Sequence, residues 1–156
     1  MTATGTSDEI TDQIVKKMLE LIRRDAKAPE ITKVAETLKK PSRMETLSAV
    51  FDYIRSRFPY KSDPPGIEHL TAPVHIINGD APYMDCDELV TITCCLLKSM
   101  KIPCLVKVIA WRKPAYTHVV LEAQLTEQHW LVMDPTRFDG FGNQVRTVIK
   151  EKRYKV

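Results

Sequence analysis

The sequence predicts an α+β domain in which helices come first and an antiparallel sheet follows. Three observations carry this. Between residues 7 and 58, apolar side chains recur at helical spacing in three blocks. Residues 87–100 are apolar on nearly every side, as in a helix buried on most of its surface. Residues 104–133 then divide into short β-rich runs, one of them alternating, with gaps short enough for hairpins. The 156 residues suit one domain around one core. We divide it into an N-terminal helical extension (1–40), a core (43–137), and a C-terminal strand with a basic tail (138–156).

Composition sets the outer bounds. Hydrophobic residues are 44% and charged residues 28%, the balance of an ordinary globular chain. No apolar run reaches the length of a membrane span, and Met1 to Ser7 lacks the basic start and apolar middle of a signal peptide. The expected location is therefore cytoplasmic, or virion-associated if the chain is phage-encoded, with no membrane partner. A net charge of +3, with scattered basic residues, gives no reason to expect nucleic acid. The four cysteines (Cys86, Cys94, Cys95, Cys104) have neither a C-x-x-C pair nor zinc-finger spacing. Cys94 and Cys95 lie inside an apolar helix and Cys104 opens an apolar strand, so these three read as small buried hydrophobes.

The elements follow in order. Thr6 to Glu9 has a capping-box pattern ahead of a helix with Ile10, Ile14, Val15, Met18, Leu21 and Ile22 on one stripe. Pro29 suits the first turn of a second helix, with Ile31, Val34, Ala35 and Leu38 inward, which Pro41 stops. Ser42 to Glu45 is another capping box. It opens a third helix with Leu47, Val50, Phe51, Ile54 and Phe58 on its apolar side. Residues 59–85 are dense in proline and read as a long ordered loop, an apolar rim beside the site. Asp87 to Met100 is the buried central helix, with Lys98 and Lys101 at its C-terminal end and Pro103 preventing continuation. Strands are expected over 104–111, 117–125 and 129–133. In the second, Val119, Leu121, Ala123 and Leu125 face one way, and His118, Val120, Glu122 and Gln124 the other. A final edge strand is expected over 145–149, and the basic Lys150 to Lys155 reads as a frayed, solvated end.

Cys86 stands apart from the other cysteines. It sits at the loop-to-helix boundary in Asp85-Cys86-Asp87-Glu88. Free N–H groups at a helix start stabilise a thiolate. A histidine that takes the thiol proton, itself oriented by a carboxylate, would complete a nucleophile. His118 begins one strand and Asp134 ends the next, so an antiparallel hairpin makes them neighbours. Asp85 and Asp87 act the other way, since like charge disfavours a thiolate; Asp87 fits better as a residue favouring the helix dipole. Cys86, His118 and Asp134 are an incomplete donor set for zinc, and no metal or cofactor is expected. Trp111, Tyr83 and Tyr116 are placed to line a cleft.

Asp85-Cys86-Asp87-Glu88-Leu89, Met100-Lys101-Ile102-Pro103, Thr117-His118-Val119-Val120-Leu121-Glu122 and Trp130-Leu131-Val132-Met133-Asp134-Pro135-Thr136 together resemble the transglutaminase-like superfamily of cysteine enzymes. The resemblance covers about residues 43–137 and includes the order and separation of Cys86, His118 and Asp134. It implies a papain-like α+β fold, with N-terminal helices and a central helix packed on an antiparallel sheet. It also implies a Cys86-His118-Asp134 triad and acyl transfer from a peptide or other amide to an amine or water through a thioester. The similar proteins are small bacterial or phage-type members, the bacterial ones mostly described as proteases or amidases. Three positions depart from the family pattern: Met84 where glycine is frequent, Val120 where an aromatic is common, and Lys101 in place of the glycine before Ile-Pro. A second expectation stands beside the enzyme: a structural or adaptor protein, such as a phage virion or assembly component, docking through its N-terminal helices and basic tail.

Overall fold

The computed structural model describes residues 7–62, 70–81, 83–111, 114, 116–143 and 147–156. Its elements are α1 (Ser7–Asp25), α2 (Pro29–Leu38), α3 (Arg43–Arg57), α4 (Pro73–Ile77), α5 (Cys86–Ser99), β1 (Cys104–Ala110), β2 (His118–Gln124), β3 (Trp130–Met133) and β4 (Lys150–Lys155). The strands form one antiparallel sheet in the order β3-β2-β1-β4. The architecture is α+β, as expected.

α5 is the hub, touching α1, α2, α3, α4, β1 and β2. Leu89, Val90, Ile92, Leu96 and Leu97 are wholly buried, so it has no solvent stripe. Cys94, Cys95 and Cys104 lie in the same core. Its start is capped by the Asp85 carboxylate, which accepts from the Glu88 N–H at 3.3 Å. Its end is a Schellman motif: Ile102 N–H donates to Leu97 O at 2.9 Å and Lys101 N–H to Lys98 O at 3.0 Å. That motif needs a left-handed residue, and Lys101 supplies it with φ 60°, a conformation that glycine adopts without strain. At α3 the expected N-cap is formed, Glu45 N–H donating to Ser42 Oγ at 3.1 Å, while the Glu45 side chain returns to the Ser42 hydroxyl, which donates to Oε1 at 2.9 Å. The capping box expected at Thr6 involves residues outside those described.

Register decides what each sheet face carries. Val108 opposes Val119, and Val106 opposes Leu121, on the face that meets α5. Ile109 opposes His118, and Lys107 opposes Val120, on the other face.

Two expectations need correction. The stretch 59–85 is not loop throughout. Pro73 occupies the first turn of α4, where its missing N–H costs nothing. Asp25, at the end of α1, accepts from Val74 N–H at 3.1 Å and caps that turn from outside. Residues 63–69 and 82 of this stretch lie outside those described. The second correction is the tail, which is strand β4, paired to β1 from Lys150 to Lys155. Its charges have partners on both faces. Lys150 reaches Asp8 at 2.9 Å, Lys152 reaches Asp12 at 2.9 Å, and the Tyr154 hydroxyl donates to Asp12. On the opposite face, Glu151 pairs with the buried Lys107 at 3.1 Å, and Arg153 with Glu122 at 2.5 Å. The strand expected over 145–149 falls partly outside the described residues, and 147–149 are not strand.

Candidate active site

Cys86 is the first residue of α5 and is half-buried. Capping by Asp85 leaves the sulfur beside the helix N-terminus, where backbone amides favour negative charge. The thiol lies 3.7 Å from Asp87 Oδ1 as donor, while the Val119 backbone N–H donates toward the sulfur. Burial pushes the thiol pKa well above its ordinary value; the Asp87 and Asp85 carboxylates push the same way, and the Val119 N–H opposes them. Burial and the two carboxylates thus favour the protonated thiol, which donates to Asp87.

His118 opens β2, and Asp134 follows β3 directly. The hairpin brings them together: His118 Nε2 lies 2.9 Å from Asp134 Oδ2, with both side chains largely buried. The second Asp134 oxygen accepts from Thr136 N–H at 3.1 Å and Thr136 Oγ1 at 2.6 Å. Burial raises the Asp134 pKa, but the bonds from His118 and Thr136 prevail and hold it below the ordinary value. With Nε2 committed to Asp134, Nδ1 is the nitrogen left for a proton from sulfur. The Trp111 ring packs edge-on to the imidazole, centroids 5.3 Å apart at 70°, which limits its rotation. Cys86 meets this strand at Val119, one residue beyond His118. Among the described residues there is no hydrogen bond between the thiol and the imidazole; the thiol donates to Asp87 instead.

The model of the transglutaminase-like superfamily matches residues 28–135, a stretch that contains Cys86, His118 and Asp134. The chain belongs to the transglutaminase-like superfamily. No curated protein matches it in sequence. Solved structures share the fold of this transglutaminase-like chain at low identity. A candidate cysteine protease from Cytophaga hutchinsonii superposes with a TM-score of 0.59 at 16% identity, over 90% of this chain and 55% of its own. A candidate protease from Parabacteroides distasonis gives 0.58 at 12% identity, over 87% and 30%. The EGTA-treated form of Legionella pneumophila LapG gives 0.55 at 21% identity, over 79% and 71%. The chain thus spans about half of the first of these proteins and under a third of the second.

Around the central residues of this transglutaminase-like domain, several supports escaped sequence reasoning. Glu88 is wholly buried and accepts from Thr71 N–H at 3.0 Å, tying the approach to α4 to the start of α5. The Asp85-x-x-Glu88 spacing was a capping signal that could have drawn attention to it. Arg55 Nη1 donates to Pro135 O at 3.3 Å and pins the turn after Asp134. Gly140 O accepts from Asp134 N–H at 2.8 Å, and a Cβ on Gly140 would collide with the Asp134 carbonyl. Of the aromatics expected at a cleft, Trp111 contacts His118, whereas Tyr83 lies under Lys61 and Tyr116 under Lys150. His75 pairs with Asp80 at the surface and His129 is exposed; His69 lies outside the described residues. Among the described residues, no group of three or more His, Cys, Asp or Glu side chains is arranged to hold a metal ion.

Proposed function

We propose that this transglutaminase-like domain is a cysteine-dependent amide hydrolase or acyltransferase, with Cys86 as nucleophile, His118 as proton carrier and Asp134 as the group that orients His118. The observation carrying this reading is the 2.9 Å contact from His118 Nε2 to Asp134 Oδ2 on the strand whose next amide faces Cys86 Sγ. In the first half-reaction, His118 Nδ1 takes the thiol proton as sulfur attacks the amide carbon. The tetrahedral oxyanion is met by the Cys86 N–H at the start of α5. Collapse breaks the C–N bond, His118 returns the proton to the leaving amine, and a thioester remains. Water or an amine, deprotonated by His118, then releases the acyl group. The Asp134 carboxylate accepts the hydrogen bond from Nε2–H throughout and balances the imidazolium.

Thiol alkylation tests the reading. Iodoacetamide should modify Cys86 faster than Cys94, Cys95 and Cys104 in the native protein, measured by intact mass and peptide mapping. Replacing His118 by Ala should slow it. Uniform slow modification of all four cysteines would refute the assignment.

A second reading has its own support. The thiol donates to Asp87 rather than to His118, which favours an adaptor or virion component that keeps the fold and works through its surface. Cys86→Ala separates the two: a surface-acting protein retains its biological activity, and a thiol enzyme loses it.

A further inference from the structure

We propose that the cavity beside the segment leading into Cys86 is a subsite for a carboxylate-bearing residue of a peptide. The cavity holds about 410 Å3 and is lined by Arg57, Phe58, Ile76, Gly79, Tyr83 and Met84 among others. Tyr83 and Met84 are three and two residues before the nucleophile. Because an extended chain spans at most about 3.6 Å per residue, they lie within roughly 11 and 7 Å of Cys86. That is the reach of a peptide side chain one or two positions from the carbonyl being attacked. The proposal takes the position of that carbonyl from the catalytic reading above. The cavity itself does not depend on Cys86 being reactive.

The chemistry of the wall selects the occupant. Phe58, Ile76 and Met84 are buried and apolar, suited to the methylene stem of a side chain. The Arg57 guanidinium stands 5.9 Å from the Tyr53 ring centroid and 6.0 Å from that of Phe58. Lys61 Nζ stands 5.6 Å over the Tyr83 ring. Arg57 belongs to the cavity wall and Lys61 sits over the ring of a wall residue, and among the described residues neither forms an ion pair with a carboxylate. The nearby Asp80 carboxylate is engaged by His75 Nδ1 at 3.5 Å. An apolar pocket with a planar, ring-supported guanidinium at its mouth fits a carboxylate on a short aliphatic stem. Placing that group here also keeps it from the thiol itself, where Asp85 and Asp87 would repel it.

Two sources supply this chemistry: a glutamate side chain, and the C-terminal carboxylate of a peptide. Both can be titrated into full-length Cys86→Ala protein and followed by the backbone amides of Gly79, Tyr83 and Met84. The probes are Ac-Leu-Glu-NH2, Ac-Leu-Gln-NH2 and Ac-Leu-Gln-OH. The expected result is shifts at those amides, with the glutamate peptide binding about tenfold tighter than the glutamine amide. That ratio should fall toward one when Arg57→Gln is added. A free acid that binds tighter than the glutamate amide, with the same dependence on Arg57, assigns the site to a chain terminus, and one that binds more weakly assigns it to a glutamate side chain. Equal binding of Glu and Gln amides together with the free acid, absence of shifts at these residues, or a preference surviving Arg57→Gln overturns the proposal. Cys86 alkylation on the native chain keeps the two readings apart. A reactive Cys86 with silent pocket amides removes the subsite alone, and an inert Cys86 with a responsive pocket removes the catalytic assignment alone.

Discussion

Replacing Asp87 with Asn should make Cys86 more reactive, which is the opposite of what loss of a catalytic residue does. In the resting protein, Asp87 Oδ1 lies 3.7 Å from the sulfur and raises the thiol pKa, second only to burial. Unit charges about 4 Å apart interact by roughly 1 kcal/mol in water and roughly 4 kcal/mol at the effective dielectric near a protein surface. A half-buried sulfur falls between these limits. Removing the Asp87 charge therefore raises the thiolate population at fixed neutral pH by about 5-fold to several hundred-fold. A more acidic thiol is also intrinsically less nucleophilic, with a Brønsted coefficient of about 0.4–0.5, which returns about half of the logarithmic gain. The net expectation is a second-order iodoacetamide rate about 2- to 30-fold above wild type at pH 7, with the pH–rate profile displaced to lower pH. Asp85→Asn is the control. Asn caps a helix as well as Asp, and the Asp85 carboxylate ranks below Asp87 as a cause, so its gain should be smaller. Loss of negative charge in the first turn of α5 should destabilise Asp87→Asn by about 0.3–1 kcal/mol, too little to unfold it. A rate equal to or below wild type in Asp87→Asn, with the fold intact, would refute the claim that this carboxylate favours the protonated thiol.

Further predictions concern the frame around the site. Lys101→Gly should raise stability by about 0.5–1 kcal/mol in urea unfolding, because a side chain at φ 60° costs about 1–2 kcal/mol and glycine's unfolded-state entropy returns part of that; Lys101→Ala, which keeps the strain, should give no such gain. Gly140→Ala should cost about 1–3 kcal/mol, as an overpacked site does, and slow Cys86 alkylation, since the added Cβ would stand 2.9 Å from Asp134 Cβ. Asp134→Asn should flatten the acid limb of the stability curve. The carboxyl pKa is lowered by folding despite burial, so its contribution is complete above the unfolded value near 3.8 and is lost as pH falls through the folded value. Urea unfolding at pH 6 and pH 3 should therefore show a larger loss in wild type than in the variant.

What could be read from the residues was local or periodic. The apolar stripe of α1, the Ser42 capping box, and the alternation of β2 are each written in a short window, and each element falls within a residue or two of its expected place. The neighbourhood of His118 and Asp134 also followed from topology, because one begins a strand and the other ends the next across a short turn. What was hidden depended on partners far along the chain. Pro73 looked like a helix breaker; it starts α4 because Asp25 supplies the cap from another helix. Lys150 to Lys155 looked like a solvated tail because its counter-charges, Asp8 and Asp12, lie at the opposite end of the sequence. The flanking aspartates were seen to disfavour a thiolate, but that the Asp87 side chain itself engages the sulfur is a matter of rotamer, which spacing does not encode.

The sheet register links these observations. A slip of β2 by one residue would turn Val119, Leu121 and Ala123 away from α5 and drive His118 toward the core. Apolar alternation on the helix face opposes that slip, and so do charges on the other face. Lys107 is nearly inaccessible, with Glu151 at 3.1 Å and Glu122 at 3.8 Å, and Arg153 bridges the same two carboxylates. Removing one partner from such a buried set leaves an uncompensated charge, so the set tolerates one pairing of β1 with β2 and β4 far better than its neighbours. That pairing fixes which amide faces Cys86. The Val119 N–H is directed at the sulfur because His118 opposes Ile109 and Val119 opposes Val108. The balance at the thiol, a helix start and one strand amide against burial and two aspartates, is therefore set by charges on β1, β2 and β4 that never touch it. In the catalytic reading, tipping that balance requires only that the thiol proton pass from its bond with Asp87 to His118 Nδ1, with the sheet left as it is.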